Sequence, residues 1–454
     1  MPFVKQELAS QASQLLSEKL GCKVEIKDVY LRLFNHLDLQ NVAVYDQQQC
    51  LMLKSSHIGA KLTLNGLLDN KIQINHLELF NTQCNLYREN DETSPNFQFV
   101  IDSLGSKNPE DEAGPDLIIN TLIVRDLSIQ YDVKSSFRTP QKFNPDHLAI
   151  EKFDANLRIN SLTADSINLR VRYSALKEHS GLNISSLAFQ LVSGKNDTKL
   201  LGLKLKMPKS QLQLTEVKLH HASNKWNDIL NGTLEGTKLN GEINPSDMGA
   251  LLPQLAQLDD ELYTINATVG KNTEDLNVSA ELSRRNNPQL FSLTLGAALN
   301  TKALQDHHTA IHCDIDELNV KPDQIKSWAK AFGSSELPDL IDRIDAIHHN
   351  GTIDVFDKKI ETTGITKFAN GSITENVELN DDIIDAKIET QQLDLGTLLN
   401  SQELGILNSK TEINGNIAQK DLKFSSLIEN AVVNNYQYKN ITGGTVTTNG
   451  TTTV

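Results

Sequence analysis

Apolar and polar residues alternate with a period of two from Val24 almost to the end of this 454-residue chain. A strand with that period has one apolar and one wet face. A chain that repeats it for hundreds of residues builds a long apolar surface that something must cover. Many of the runs share a phrase: an Asn or Asp, a spacer, then Leu-x-Leu. It recurs in IKDVYLRLFNHLDLQNVAVYD (26–46), KIQINHLELFNTQCNLYR (71–88), DLIINTLIVRDLSIQYDV (116–133) and FDANLRINSLTADSINLRVRYSAL (153–176).

Few helices are available to cover these strands, and the turns are short enough to keep the strands sequential. The pattern therefore predicts a mainly β fold. Its core is an elongated, curled antiparallel sheet, a trough with Leu, Ile and Val inside and Lys, Glu, Asn and Thr outside. The reading has three parts. Residues 1–21 form an N-terminal amphipathic helix, with Val4, Leu8, Ala12, Leu15, Leu16 and Leu20 on one face and Gly21 as its stop. Residues 22–242 form a first β-groove section, with a helical turn at NGLLDN, a helix-like NFQFVIDSLG, and loops at 106–116 and 135–147. Residues 243–454 form a second section with short helices inserted between strands at 245–258, 321–333, 337–344 and 395–405. Prolines and acids such as Pro322-Asp323 mark the helix starts, and narrow apolar stripes place these helices across an edge or mouth of the sheet. The abrupt Met-Pro start and the uncapped strand-like end read as a piece of a longer protein.

Composition excludes several function classes. A formal net charge of -15 is unsuited to neutralising phosphates along nucleic acid. No stretch reaches the ~18 consecutive apolar residues of a membrane span. Cys22, Cys50, Cys84 and Cys313 are far apart and form no CxxC, so zinc ribbons and redox motifs are out. Each reads as a small buried hydrophobe, with one disulfide among the first three left open. His307, His308, His312 and Cys313 alternate like a strand, where residues four apart stand ~13 Å apart and cannot share one metal ion. His220-His221 and His348-His349 read as solvated strand histidines. There is no GxSxG, no P-loop and no dinucleotide turn, so no catalytic residue, metal or cofactor is assigned and the chain reads as a non-enzyme.

A trough not filled by its own side chains requires an apolar ligand, and acyl chains fit that description. By alternation, the inward row includes Val29, Leu31, Leu33, Ile72, Ile74, Ile167, Leu169, Val171, Leu201, Leu203, Leu205, Phe291, Leu293 and Leu295. One register slip would flip a strand outward. The competing reading is a closed core in which these residues pack against one another.

Four stretches carry a family resemblance. PFVKQELASQASQLLSEKLGCKVEIKDVYLRLFNHLDLQNVAVYD resembles the segment after the inner-membrane anchor of TamB/AsmA-like proteins of the Bacteroidetes type. KIQINHLELFNTQCNLYRE with NFQFVIDSL is similar to the family's next signature. QLDLGTLLNSQELGILNSKTEINGN resembles its recurrent LDLGxLL phrase, and NNYQYKNITGGTVTTNG resembles a repeat-ending strand pair. The resemblance covers nearly the whole chain, is weakest over 180–320, and rests on structural motifs. It implies a periplasmic protein anchored to the inner membrane just before Pro2, carrying phospholipid toward the outer membrane along a β-groove. It also implies an outer-membrane barrel partner, met through a C-terminal domain that this chain lacks. A scaffold for outer-membrane β-barrel assembly, or an envelope stalk, are the alternatives.

Overall fold

The computed structural model describes residues 2–32, 35–63, 71–90, 92–104, 116–140, 142–162, 166–223, 228, 231–258, 260–333, 337–448 and 451–453. The helical turn expected at NGLLDN and nearly all of the 106–116 loop fall outside them. The chain forms two compact units, residues 1–230 with 245–256, and 231–244 with 257–454. Both are mainly β, and in each the strands join in a curled, unclosed sheet, as the alternation predicts.

In the first unit, helix α1 (Pro2–Leu20) precedes β1 (Val24–Arg32), β2 (His36–Tyr45), β3 (Leu51–Thr63) and β4 (Lys71–Arg88). Helix α2 (Gln98–Leu104), β5 (Asp116–Ile119) and β6 (Thr121–Val133) follow. The run continues through β7 (His147–Leu162), β8 (Ile167–Glu178), β9 (Asn183–Ser193), β10 (Asp197–Lys206) and β11 (Gln211–His220). Successive strands pair antiparallel, with one departure: β4 runs parallel to both β5 and β6. Parallel neighbours cannot be joined by a tight turn, and here the long crossover that carries α2 connects them.

Helix α1 ends at Gly21, whose φ of +65° is the left-handed stop that glycine adopts without strain. Its buried stripe is Ala9, Ala12, Leu16 and Leu20, which pack with Phe99 of α2 on Val24, Ile26, Val29, Leu39 and Val42. Leu8 and Leu15, expected on that stripe, are exposed, Leu15 at 64%. The small Ala9 and Ala12 let the helix approach the sheet closely. Ser13 Oγ then accepts the Ile26 N–H at 3.0 Å, and Ser17 Oγ the Val24 N–H at 2.9 Å. The helix thereby satisfies donors along the free edge of β1, a standard protection against edge pairing.

The strands are long, and bulges bend them. Asn41, Asn81 and Asp126 sit mid-strand in β2, β4 and β6 with φ of 53°, 46° and 57°. Asn and Asp tolerate that region better than other side chains, and at Asp126 the β6–β7 register shifts, a bulge that adds local twist. The Asp126 N–H is held by Asp154 Oδ1 of β7 at 2.8 Å.

The second unit holds β12 (Thr233–Ile243), β13 (Tyr263–Lys271), β14 (Asp275–Arg284), β15 (Phe291–Asn300), β16 (Ala310–Val320), β17 (Ile347–Phe356) and β18 (Lys359–Phe368). After these come β19 (Gly371–Asn380), β20 (Ile383–Asp394), β21 (Leu404–Asn416), β22 (Asp421–Val433), β23 (Tyr436–Thr448) and β24 (Thr451–Thr453). Between them lie α3 (Thr301–Gln305), α4 (Pro322–Ala331), a 3-10 turn at Asp339–Arg343, and α5 (Leu395–Leu399). Helix α4 begins as expected, with proline in its first turn and Asp323 beside it. The expected helix at 245–258, which packs in the first unit, is instead two 3-10 turns, Pro245–Met248 and Pro253–Gln257. Pro253 has no N–H to continue the first. The 395–405 helix stops at Asn400, which turns left-handed at φ 52°. Helix α3 was not expected. Its signal is Asn300, whose Oδ1 accepts the Ala303 N–H at 2.7 Å as an N-cap. Among the described residues no helix is long and apolar enough to cross a membrane.

Candidate functional site

Strand register carries an apolar row across the first unit. Leu37 of β2 stands opposite Ala60, Ala60 opposite Leu77, and Leu77 opposite Leu122. The row continues through Leu157, Val171 and Phe189. A parallel row runs Leu39, Ile58, Leu79, Val124 and Ala155. Where helix α1 or the bulge line presses on this face the side chains are buried. From β8 to β11 most are half-buried and the intervening polar residues are exposed, as in the Leu203, Lys204, Leu205, Lys206 series.

The second unit repeats the arrangement without a break. Val278 faces Ala297, Ala297 faces Cys313 and Cys313 faces Ile353. Thr362, Val377, Ala386, Ile413 and Phe424 then follow on the same face of successive strands. Ala386 is buried, while Val278, Ile353, Val377, Ile413 and Phe424 are only half-buried. The opposite face carries ion pairs, Lys359 with Glu361 along its own strand at 2.7 Å and with Glu378 across to β19 at 3.1 Å, and Lys410 across to Glu429 at 3.0 Å. Half-burial of one face and exposure of the other is what a single sheet gives when it curls toward its apolar side.

The helices cover one margin of this apolar face. On α4, Trp328 packs edge-on to Phe291 at 4.9 Å, and Phe291 in turn meets Tyr263 at 5.8 Å. Gln324, fully buried, donates to Tyr263 Oη at 3.0 Å and accepts from Arg284 at 3.1 Å. Beside them Ile344, Leu393 and Leu398 form a second cluster with Phe368 and Leu407. The Arg343 guanidinium donates to the Leu398 carbonyl at 2.8 Å and ties the 3-10 turn to α5. All these side chains lie at the strand ends nearest the helices, so the strand middles keep their apolar row half-buried.

The residues expected to line the trough divide accordingly. Ile74, Ile167, Leu169, Leu203, Leu205 and Leu295 lie half-buried on the apolar face, and Val171 is buried there. Val29 is covered by α1, and Phe291 and Leu293 pack beneath α4. Leu31 pairs with Leu37 yet is 58% exposed at the end of its strand. Leu33 and the side chain of Ile72 fall outside the described residues. Leu201 is a correction. Gly202, at φ +60°, bulges β10, so Leu201 sits opposite Gln190 and Glu216 on the polar face. Leu200, opposite Leu191 and Val217, takes the inward place. Strict alternation cannot survive a bulge, and the glycine was its visible mark.

Sequence reasoning missed one polar feature on the apolar face. His349 stands on the same side as Ile347 and Ile353. Its Nδ1 lies 3.0 Å from Thr366 Oγ1 and 3.5 Å from a Glu375 carboxylate oxygen. Neither His349 nor His221 is a solvated strand histidine. His221 is buried just past β11, with Nε2 at 3.0 Å from Thr198 Oγ1. His312 lies on the polar face between Asp354 at 2.6 Å and Asp314 at 3.1 Å, and these carboxylates, Asp354 foremost, raise its pKa. No group of three or more potential metal ligands occurs among the described residues.

All four cysteines are free thiols. Cys22 is buried and Cys84 and Cys313 half-buried, but Cys50 is exposed, because it closes the turn after β2. Burial pushes the Cys84 thiol up to about 11. A maleimide at pH 8 is therefore expected to label Cys50 first and the buried Cys22 and pKa-raised Cys84 last, with all four reacting together in urea. Equal labelling of Cys50 and Cys84 in the folded protein would contradict this placement. No protein-family model matches the chain, and no curated protein or solved structure matches it.

Proposed function

We propose that the chain is a non-catalytic lipid conduit of the TamB/AsmA-like kind, a periplasmic protein that carries phospholipid acyl chains along its apolar sheet face between inner and outer membranes. The carrying observation is the row from Val278 through Ile353 and Val377 to Phe424, apolar on every strand but one and half-buried with no second layer over it among the described residues. A self-packed core would bury those side chains. Each acyl methylene taken from water onto such a face contributes about 0.8 kcal/mol, so a modest length of chain is enough to hold a lipid. The charged opposite face stays solvated, and the open side of the curl leaves the head group in water.

Native mass spectrometry with solvent extraction, on protein purified from a Gram-negative periplasm, tests this. Wild type is expected to carry phospholipid, and Leu169→Asp with Ile353→Asp to lose most of it while remaining folded. Folded, lipid-free wild type in repeated preparations would defeat the conduit.

A further inference from the structure

Many ion pairs among the described residues of this acidic chain are cross-strand matches such as Lys177 with Glu151 at 2.9 Å. One patch on the outer face of the first unit breaks that habit. Register places Arg158 of β7 directly opposite Arg170 of β8, and Arg172 is the residue skipped two positions later, bulged outward and exposed. Across the intervening β6, Lys61 of β3 stands opposite His76 of β4. Like charges facing each other across a ladder destabilise it. Lys61, Arg158, Arg170 and Arg172 nevertheless have neither a hydrogen-bonded nor an ion-paired side-chain partner among the described residues, and the nearest carboxylate on β4, Glu78, lies two residues beyond His76.

Beneath these cations the backbone makes room. The β3–β4 register slips at Asn75 and the β7–β8 register slips at Asn160. Asn120 donates to Asn75 Oδ1 at 3.0 Å between them. The aligned irregularities open a hollow of about 490 Å³, lined by Lys61, His76, Arg158 and Arg172 together with these asparagines. Guanidinium forks match phosphate oxygens in bidentate pairs, and an anion seated among them would also relieve the Arg158–Arg170 repulsion. A carboxylate could neutralise one of these cations, but only a group with several oxygens in different directions can engage all of them.

We propose that this hollow is a binding site for a phosphate-bearing anion. It does not depend on the apolar face carrying lipid. The test uses the full chain and two probes. Inorganic phosphate is titrated calorimetrically, and vesicles of phosphatidylglycerol or of phosphatidylcholine are cosedimented at low and raised salt. Wild type is expected to bind phosphate, phosphatidylglycerol vesicles, or both, and to bind phosphatidylcholine far more weakly. Arg158→Gln/Arg172→Gln is expected to lose about tenfold or more in affinity. Binding to vesicles alone assigns the anion to a lipid head group, and equal competition by free phosphate assigns it to a soluble one. Without anion, Arg158→Gln should melt no lower than wild type, which shows that lost binding is not lost folding. Absence of both phosphate and phosphatidylglycerol binding, or full binding by the double variant, would overturn the site.

Discussion

Asp46→Ala is expected to destabilise the first unit by about 3 kcal/mol or more, measured by urea unfolding. Asp46 directly follows β2 and is 1% exposed. One carboxylate oxygen accepts the Gln48 N–H at 2.9 Å and the Cys50 N–H at 2.8 Å, closing the turn into β3. The other accepts the Tyr87 hydroxyl at 3.0 Å and the Asn96 amide at 3.3 Å, joining that turn to the end of β4. Alanine would leave the Gln48 and Cys50 N–H groups without this acceptor, while the Tyr87 hydroxyl keeps Gln48 Oε1 at 3.0 Å and the Asn96 amide keeps the Asn85 carbonyl at 3.2 Å. Burial by itself would raise the Asp46 pKa, but these donors, led by Cys50, outweigh it and hold the carboxyl below its usual range. Burial first, and the Asp46 bond second, push Tyr87 up to about 12. Because the folded pKa is depressed, this stabilisation is complete above the unfolded value of about 3.9 and is lost as pH falls through the folded one. The variant should therefore show a shallower acid loss than wild type. A change below about 1 kcal/mol, or an unchanged acid profile, would remove Asp46 from this role.

Phe291→Ala is expected to cost about 3–5 kcal/mol in the second unit, since an almost fully buried aromatic ring at a three-ring contact leaves a cavity that a sheet backbone cannot collapse. Phe291 is 3% exposed and is the surface on which Trp328 and thus α4 rests. Trp328 fluorescence should shift to the red, and amide exchange across Pro322–Ala331 should rise well before the strands exchange. Unaltered Trp328 emission would mean that α4 is held chiefly by the buried Gln324, through its bonds to Tyr263 and Arg284.

Much of the architecture was legible because a strand's side-chain period is local. Leu203-x-Leu205 and Leu293-x-Leu295 each declare a common face without reference to any partner. Helix α4 announced itself through Pro322-Asp323. The helix at 245–258 failed because its apolar content suggested one turn system while Pro253 divides it in two. Cys50 was misjudged because Leu51 beside it is apolar, whereas Asp46 organises the turn that exposes the thiol. The anion-binding hollow had no linear signature at all, since Lys61, His76, Arg158 and Arg172 come from four strands.

The alternation alone determined that this chain is mainly β and that its sheet has one apolar face, and start signals such as Pro322-Asp323 that short helices interrupt the strands. Tertiary structure alone decided which side chains that face presents. A bulge such as Gly202 exists only relative to the register of the neighbouring strand, and it moves Leu201 out and Leu200 in. It also decided that β4 and β6 run parallel, and that Arg158 and Arg170 confront each other, because pairing across long sequence separations is set by the whole sheet and not by any segment of it.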